Sequence, residues 1–599
     1  MAENEPVLIE AASSEQSGGA TFTLQYKNRF LYSKYNPQKN ILQAVQNIDL
    51  LPGTLVLAFS PCLFYGFKEL EKKCRAADSE ILCVEADSTL HSFASQEIKR
   101  QDLAAPLLAL DKNTPAGLEE FFSKAKQKFR RVIRIDLSAG ASLYPDFYKN
   151  FYECAQNIVA VFWKNRLTLV RLGRLYSKNI FKNLPLSASS AQFEALEGTV
   201  EKPILVCGAG ESLDELTKFA SGNCKQGIAL QQGQKGAATK TDTACKTEKA
   251  AALAAINERF FILAVDAAVP ALLSTGITID AVAATESQWA IEKAYIGLKD
   301  QESGPFFFFD LTSRNQIARR FSKKRAFYFS QFEKNNFLDR LAQKGLLPKI
   351  APPLGSIGLT ATYLALLLRK DQSVPICVLG LDFSFSAGRT HALESAQSKA
   401  LCANSNRLSS SSNFAAAFGP GSQQVLDKNK KPVWTSKNLL GYAALFADYF
   451  KGAQKLFDLG KSGLDLGLER KNLFDFLQDR NPNQQQEWPP RSLALEKNGR
   501  GRSESCEAFL RAELSALRSL SDLLSKGEDS SARDKSIALD EQILRELRGR
   551  EYLYLHFPDG TNASLEFNFL TRVKSQIDFF AKDIETALAA GSFIAVRQY

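Results

Sequence analysis

Between residues 21 and about 185, short apolar runs alternate with helix-like stretches. The runs are Thr54-Leu-Val-Leu-Ala-Phe-Ser60, Glu80-Ile-Leu-Cys-Val-Glu85 and Arg131-Val-Ile-Arg-Ile-Asp136. Short, largely apolar runs spaced by helices predict strands of a parallel α/β sheet covered on both faces. An acid closing the second run could hold a ribose, as in nucleotide-binding folds. The turn after the first, Phe59-Ser-Pro-Cys-Leu-Phe-Tyr-Gly66, lacks the Gly-x-Gly that lets a phosphate approach the backbone. This block therefore reads as a scaffold or a degenerate nucleotide fold.

A second α/β block runs from about residue 200 to 459. Four strands are predicted at Pro203–Cys207, Phe260–Val265, Asp280–Ala284 and Pro375–Gly380. A fifth, Phe306–Phe309, is apolar on both faces and so lies inside the sheet. Cys224–Lys249 is rich in Gln, Gly, Ala, Thr and Lys and reads as a flexible surface insert. Ser409–Ser412 with Gly419-Pro-Gly421 marks a second flexible segment. Past a linker at 476–505, Phe509, Leu510, Leu514, Leu517, Leu520, Leu523 and Leu524 recur at helical spacing, as do Ile577, Phe580, Ile584 and Leu588. The organisation expected is a disordered tail over 1–20, a domain at 21–190, a central domain at 195–475 with its insert at 224–249, the linker, and a helical domain at 506–599.

Composition narrows the chemistry. The 599 residues are 45% hydrophobic and 23% charged, with 75 − 65 = +10 net charge. That mild excess suits anionic ligands without requiring nucleic acid. The ten cysteines include no CxxC pair, and several sit in apolar runs, which is thiol usage in a reducing compartment. The acidic N-terminus carries no secretory pattern, and no apolar run approaches the ~18–20 residues of a membrane helix. A cytoplasmic protein with no membrane insertion is expected. With only His91, His391 and His556 available, the chain does not offer a His-rich metal site and no metal is expected.

Five constellations carry candidate chemistry. Pro203-Ile-Leu-Val-Cys-Gly208-Ala-Gly210-Glu211-Ser212 is a strand running into Gly-x-Gly and a helix, a turn that can cradle phosphate; Ser212 can cap the helix or bind a phosphate oxygen. Asp266 closes one strand, and Glu286 closes the next. Gly355-Ser356 opens an apolar helix and offers a second anion site. Asp382 closes the last strand, and its loop carries Arg389, Thr390 and His391. His391 alone among the three histidines follows a strand-end acid, nine residues on, and could take a proton from an acceptor hydroxyl.

This ordered set resembles the MptE-like domain of motility-associated factor (Maf) proteins, flagellin glycosyltransferases. Gly208-Ala-Gly210-Glu211-Ser212-Leu213 is similar to that family's Gly-x-Gly-Pro-Ser-Leu, with Glu211 in place of the proline. Ile279-Asp280 through Glu286-Ser287 resembles its Pro-Asp-x-x-x-x-x-Asp-Pro stretch, and Leu354-Gly355-Ser356-Ile357 its Gly-Gly-Ser-Val. Gly380-Leu381-Asp382-Phe383 and Thr390-His391-Ala392 resemble its Gly-Gln-Asp-Leu and Thr-His-Ala, with the glutamine lost. Tyr32-Ser-Lys-Tyr-Asn-Pro37 is similar to a Ser-Lys-Tyr-Asp-Pro segment of the Maf N-terminal domain.

The resemblance implies two Rossmann-like α/β domains, the central one sialyltransferase-like, followed by a C-terminal helical domain. It implies transfer of a nonulosonic (sialic-acid-like) sugar from a CMP-sugar donor to flagellin Ser/Thr hydroxyls, with no cofactor required. His391 and Asp382 would then be catalytic. Gly208, Gly210, Glu211, Ser212, Asp266, Glu286, Gly355, Ser356 and Thr390 would bind the nucleotide-sugar. Two alternatives stay open. One is an ATP- and Mg2+-dependent pyrophosphokinase acting on a pterin alcohol, with acids such as Asp266, Glu286 or Asp382 holding the metal. The other is a catalytically degenerate flagellar assembly module.

Overall fold

In the computed structural model, residues 5–12, 21–125, 129–221, 242–330, 335–478, 488, 499–528 and 536–596 are described. The chain divides into two units, Met1–Leu169 and Val170–Tyr599. The helix Pro145–Ala188 carries the chain from the first into the second.

The first unit opens with an antiparallel sheet of β1 (Val7–Glu10), β2 (Phe22–Tyr26) and β3 (Arg29–Phe30). The tail expected over 1–20 thus contains a strand, because Val7-Leu-Ile-Glu10 pairs residue for residue with 22–25. Strands β4 (Thr54–Phe59), β5 (Glu80–Val84) and β6 (Arg131–Asp136) form a parallel sheet in the order β5-β4-β6. Every residue of β4 is buried, as its apolar run requires. The turn after β4 is filled by the unit's own polar groups. Ser138 Oγ donates to Ser60 Oγ at 3.0 Å, and Tyr148 OH donates to Glu85 Oε1 at 3.0 Å.

The second unit holds a ten-stranded, all-parallel sheet. Its strands are β7 (Ala191–Gln192), β8 (Ile204–Cys207), β9 (Phe261–Val265), β10 (Ala281–Ala284), β11 (Phe306–Asp310), β12 (Arg325–Ser330), β13 (Lys349–Ala351), β14 (Ile376–Leu379), β17 (Leu456–Asp458) and β18 (Glu469–Arg470). A hairpin, β15 (Ser422–Leu426) with β16 (Pro432–Ser436), stands apart from it. The order is β13-β12-β11-β10-β9-β8-β14-β17-β18, with β7 on β12. All five strands expected here are present. β12 begins with a charge that masks its run. Arg325 is buried, its Nη1 donating to Ala318 O at 2.6 Å and its Nε to Ser190 Oγ at 2.8 Å.

Three expected flexible stretches differ in part. Residues 242–249 belong to the helix Asp242–Arg259, while 222–241 lie outside the described residues. Residues 499–505 begin the helix Gly499–Glu528, and 476–478 end the helix Leu473–Gln478; most of the linker between lies outside the described residues. The Ser409–Gly421 segment contains the short helix Phe414–Phe418.

The C-terminal part is helical: Gly499–Glu528, Ser536–Arg548 and Phe567–Val596. A buried carboxylate joins it to the sheet's outer layer. Glu513, 1% exposed, pairs with Arg340 of the helix Asn336–Gln343, lies 3.2 Å from Arg550 Nε, and accepts from Tyr552 OH at 2.7 Å. Around it pack Phe181, Phe337, Tyr552 and Phe580, with Phe337 and Tyr552 ring centroids 4.9 Å apart. Removing one member of a buried ionic cluster leaves an uncompensated charge, costing about 3–5 kcal/mol. Glu513→Ala should therefore lower the second unit's unfolding free energy by that order, read from the fall of its urea midpoint followed by circular dichroism.

Candidate functional site

Strand order reverses between β8 and β14. In open α/β sheets the crevice outside the carboxyl ends at such a point is the usual ligand site. Here the two turns close on one another. Gly208 N donates to Leu379 O at 2.7 Å and Gly210 N to Gly380 O at 2.8 Å. A Cβ on Gly208 would collide with the Gly380 carbonyl and lie 2.5 Å from Leu381 Cδ2; one on Gly210 would lie 2.6 Å from Asp382 Oδ2. Gly380 itself sits at φ +76°, a left-handed conformation, with Gly208 O against it. Leu381 is buried between Gly208 and Gly358.

Asp382 clamps this crossing. Ser212 N donates to its Oδ2 at 2.8 Å, Ser212 Oγ donates to its Oδ1, and Gly380 N returns a bond to Ser212 Oγ at 3.0 Å. Burial pushes the Asp382 carboxyl up to about 6, against the Ser212 bonds that pull it down. The expected phosphate cradle thus differs from what the turn does. The glycines admit another stretch of backbone, and the N–H groups of Gly208, Gly210 and Ser212 are taken within the protein. The Asp382 carboxylate, expected at the reaction centre, holds the two turns together.

The loop after β14 returns over the helix Leu213–Ala220. Glu211 accepts from Ser386 N at 2.5 Å, from Ser386 Oγ at 2.8 Å and from Arg389 Nη2 at 2.9 Å. Asp214 accepts from Arg389 Nη1 at 2.7 Å and from Leu393 N at 3.0 Å, while Ala392 N donates to Ala209 O at 2.9 Å. His391 is half-buried on this loop, its Nδ1 2.9 Å from Thr390 Oγ1. Burial holds the imidazole below its ordinary value, so it is neutral at pH 7. Glu211 and Thr390 therefore stand as neighbours of His391. From the same loop, the helix Ala396–Ala403 packs against the turn Asp266–Ala268.

The neighbouring strand ends form a second group of polar residues. Asp266, at the end of β9, is buried and accepts from Ala267 N at 2.7 Å; burial pushes its carboxyl up to about 7. Glu286, past β10, is exposed and accepts from Gln288 N at 3.0 Å. Asp310, at the end of β11, accepts from Thr312 N and Ser330 N, each at 2.8 Å. Tyr176 lies within electrostatic reach of Glu286, Asp310 and Tyr442, and burial first, then these groups, push its phenol up to about 12. Gly355, at φ +71°, faces Tyr442: a Cβ there would lie 2.9 Å from Cε1. Ser356 starts the helix Ile357–Leu368 without a side-chain cap. Glu286 thus lies within electrostatic reach of Tyr176 and Gly355 faces Tyr442, whereas Glu211, Ser212, Asp382, Thr390 and His391 gather around the Gly208–Gly380 crossing.

Arg389 and Asp214, which tie the histidine loop, escape a search for strand-end acids because their partnership spans 175 residues. Asp310 follows the same strand-end rule as Asp266 and was within its reach. Tyr176 and Tyr442 come from helices outside any motif. Among the described residues, no helix is long and apolar enough to cross a membrane.

Residues 247–388, which span β9 to β14, match the family described as 6-hydroxymethylpterin diphosphokinase MptE-like. A protein of Treponema pallidum (strain Nichols), described as uncharacterized, is 30% identical over 584 residues, covering 94% of this chain and 93% of its own. Among solved structures, the MAf glycosyltransferase from Magnetospirillum magneticum AMB-1 aligns with a TM-score of 0.49 at 12% identity, over 98% of this chain and 92% of that one.

Overpacking a close crossing costs roughly 1–3 kcal/mol. Gly208→Ala should lower the thermal midpoint accordingly. Gly441→Ala, within the helix Lys437–Tyr449 and with nothing within 4 Å of the new Cβ, should leave it unchanged or raise it, since alanine is favoured over glycine in a helix by about 0.5–1 kcal/mol.

Proposed function

Since this chain belongs to one family with the Treponema pallidum protein and its central sheet is MptE-like, we propose that it is a glycosyltransferase, moving a nonulosonic (sialic-acid-like) sugar from a CMP-activated donor to Ser/Thr hydroxyls of flagellin. The observation that carries the reading is His391, a half-buried, neutral imidazole on the loop that follows the switch-point strand. The order of the glycine-turn, strand-end-acid and Thr-His-Ala motifs supports the donor and acceptor assignment.

In this reading the acceptor hydroxyl gives its proton to the free imidazole nitrogen of His391 as its oxygen bonds to the anomeric carbon of the donor sugar. The bond from that carbon to the CMP phosphate breaks, and CMP leaves with the electron pair. Thr390 orients the ring through Nδ1. Backbone N–H groups at the uncapped helix start, Gly355-Ser356, receive the donor phosphate. Glu286, exposed past the end of β10, binds sugar or nucleotide hydroxyls. Asp382 contributes by holding the loop that carries His391. The reaction takes place in the cytoplasm, with the nucleotide-sugar and flagellin as partners and neither nucleic acid nor membrane insertion involved.

The family description of residues 247–388 favours a second reading, pyrophosphoryl transfer from ATP to a pterin alcohol. Magnesium in that chemistry needs free carboxylate oxygens. Asp382 has both oxygens on Ser212, and Asp266 is buried on backbone N–H groups, so these two acids do not suit the ion.

Heat stabilisation with CMP, CMP-N-acetylneuraminate or ATP, each with Mg2+ or EDTA, separates the readings. Stabilisation by the CMP compounds in EDTA is expected; stabilisation by ATP only with Mg2+ would favour pyrophosphoryl transfer, and no response would leave a binding module. His391→Ala should retain donor binding while losing turnover by roughly 10²–10⁴-fold, the usual contribution of a general base. Full flagellin glycosylation by that variant in cells would remove His391 from the mechanism.

A further inference from the structure

The loop that carries His391 is held by charges from the helix beneath it. Arg389, two residues before His391, inserts its guanidinium between two carboxylates of the helix start. Nη1 reaches Asp214 at 2.7 Å, and Nη2 and Nε reach Glu211 at 2.9 and 3.2 Å. Ser386, at the near end of the loop, gives both its N–H and its hydroxyl to Glu211. Leu393 N, at the far end, goes to Asp214. Glu211, in the turn before the helix, and Asp214, in its first turn, therefore hold the loop on both sides of the histidine. Their side chains are 14% and 5% exposed, so these bonds are partly withdrawn from water. A proline at 211 could accept none of them.

We propose that Glu211, Asp214 and Arg389 form a latch that positions His391, and that Glu211 is a positioning residue rather than a ligand of the nucleotide. This rests on the reading of His391 as the base, but its test does not need turnover. The latch fixes how deeply the imidazole is buried. Opening it would expose the ring and return its titration towards an unperturbed 6.5 or so.

The chain has three histidines, so imidazole resonances of the full-length protein labelled at histidine can be followed individually, with His391→Ala supplying the assignment. Glu211→Gln makes opposite predictions for a latch and for a bystander. The charged groups facing His391 are Glu211 and, two residues away, Arg389. If Glu211 acted only through its charge, removing it would lower the His391 titration. If it latches the loop, the imidazole becomes exposed and titrates at a higher pH. An upward shift is expected, together with a kcat loss larger than any change in KM for CMP-N-acetylneuraminate. A downward shift, or none, in a variant whose melting profile matches the parent would overturn the latch. Should Glu211→Gln fail to fold, Arg389→Lys keeps the charge but loses the two-carboxylate fork, and should move the titration the same way. An upward shift in a protein whose His391→Ala variant still transfers sugar would uphold the latch and refute the base.

Discussion

The close approach of two turns, 208–212 and 380–382, is the constraint on which the candidate site depends. It needs glycine on both sides, because a Cβ at Gly208 would strike the Gly380 carbonyl and one at Gly380 would strike Gly208. It needs Asp382 and Ser212 to join the turns, since backbone N–H groups buried at such a crossing must find partners. Once the crossing is closed, the chain after β14 is directed across the helix Leu213–Ala220, and Glu211 and Asp214 receive it. The position of His391 is the last link in that sequence. A change at Gly208 and a change at Glu211 therefore act on the same loop through different contacts, one by displacing the turn and the other by releasing the side chains above it.

Much of the fold was legible because parallel strands buried on both faces leave unbroken apolar runs. β4, β5, β8, β9, β10, β11 and β14 all announce themselves this way, while β6, half-buried with Arg131 and Arg134 on it, shows itself by alternation. β12 and β13 do not: Arg325 and Lys349 open them, and only the folded structure shows that the Arg325 guanidinium is satisfied by Ala318 O and Ser190 Oγ. β7 and β18, two residues each, are too short to carry a period. Two of the C-terminal helices, Gly499–Glu528 and Phe567–Val596, were readable from their spacing, and Ser536–Arg548 between them was not. Nor was the attachment through Glu513, since its partner Arg340 lies 173 residues away.

The candidate site was legible as a set of residue types at strand ends, and less so as an arrangement. Glycines at 208, 210 and 380 signal close approach, but sequence does not say whether a phosphate or a carbonyl approaches. Asp382 was visible as a strand-end acid, while its partner Ser212 stands 170 residues earlier. Among the expected residues, Gly208, Gly210, Glu211, Ser212 and Asp382 are engaged in joining the two turns and the loop above them, whereas Glu286, Gly355, Ser356 and His391 are the ones to which the proposed reaction gives ligand or proton-transfer roles. Asp266 belongs to neither group cleanly: its carboxyl is buried on backbone N–H groups, yet burial brings its proton affinity close to neutrality.

The most direct measurement is the intact mass of flagellin after incubation with the purified protein and CMP-N-acetylneuraminate in the presence of EDTA. The account predicts the addition of whole nonulosonate residues at Ser or Thr, with release of an equal amount of CMP. Unchanged flagellin, together with formation of a pterin diphosphate and AMP when ATP, Mg2+ and hydroxymethylpterin are supplied instead, would contradict it.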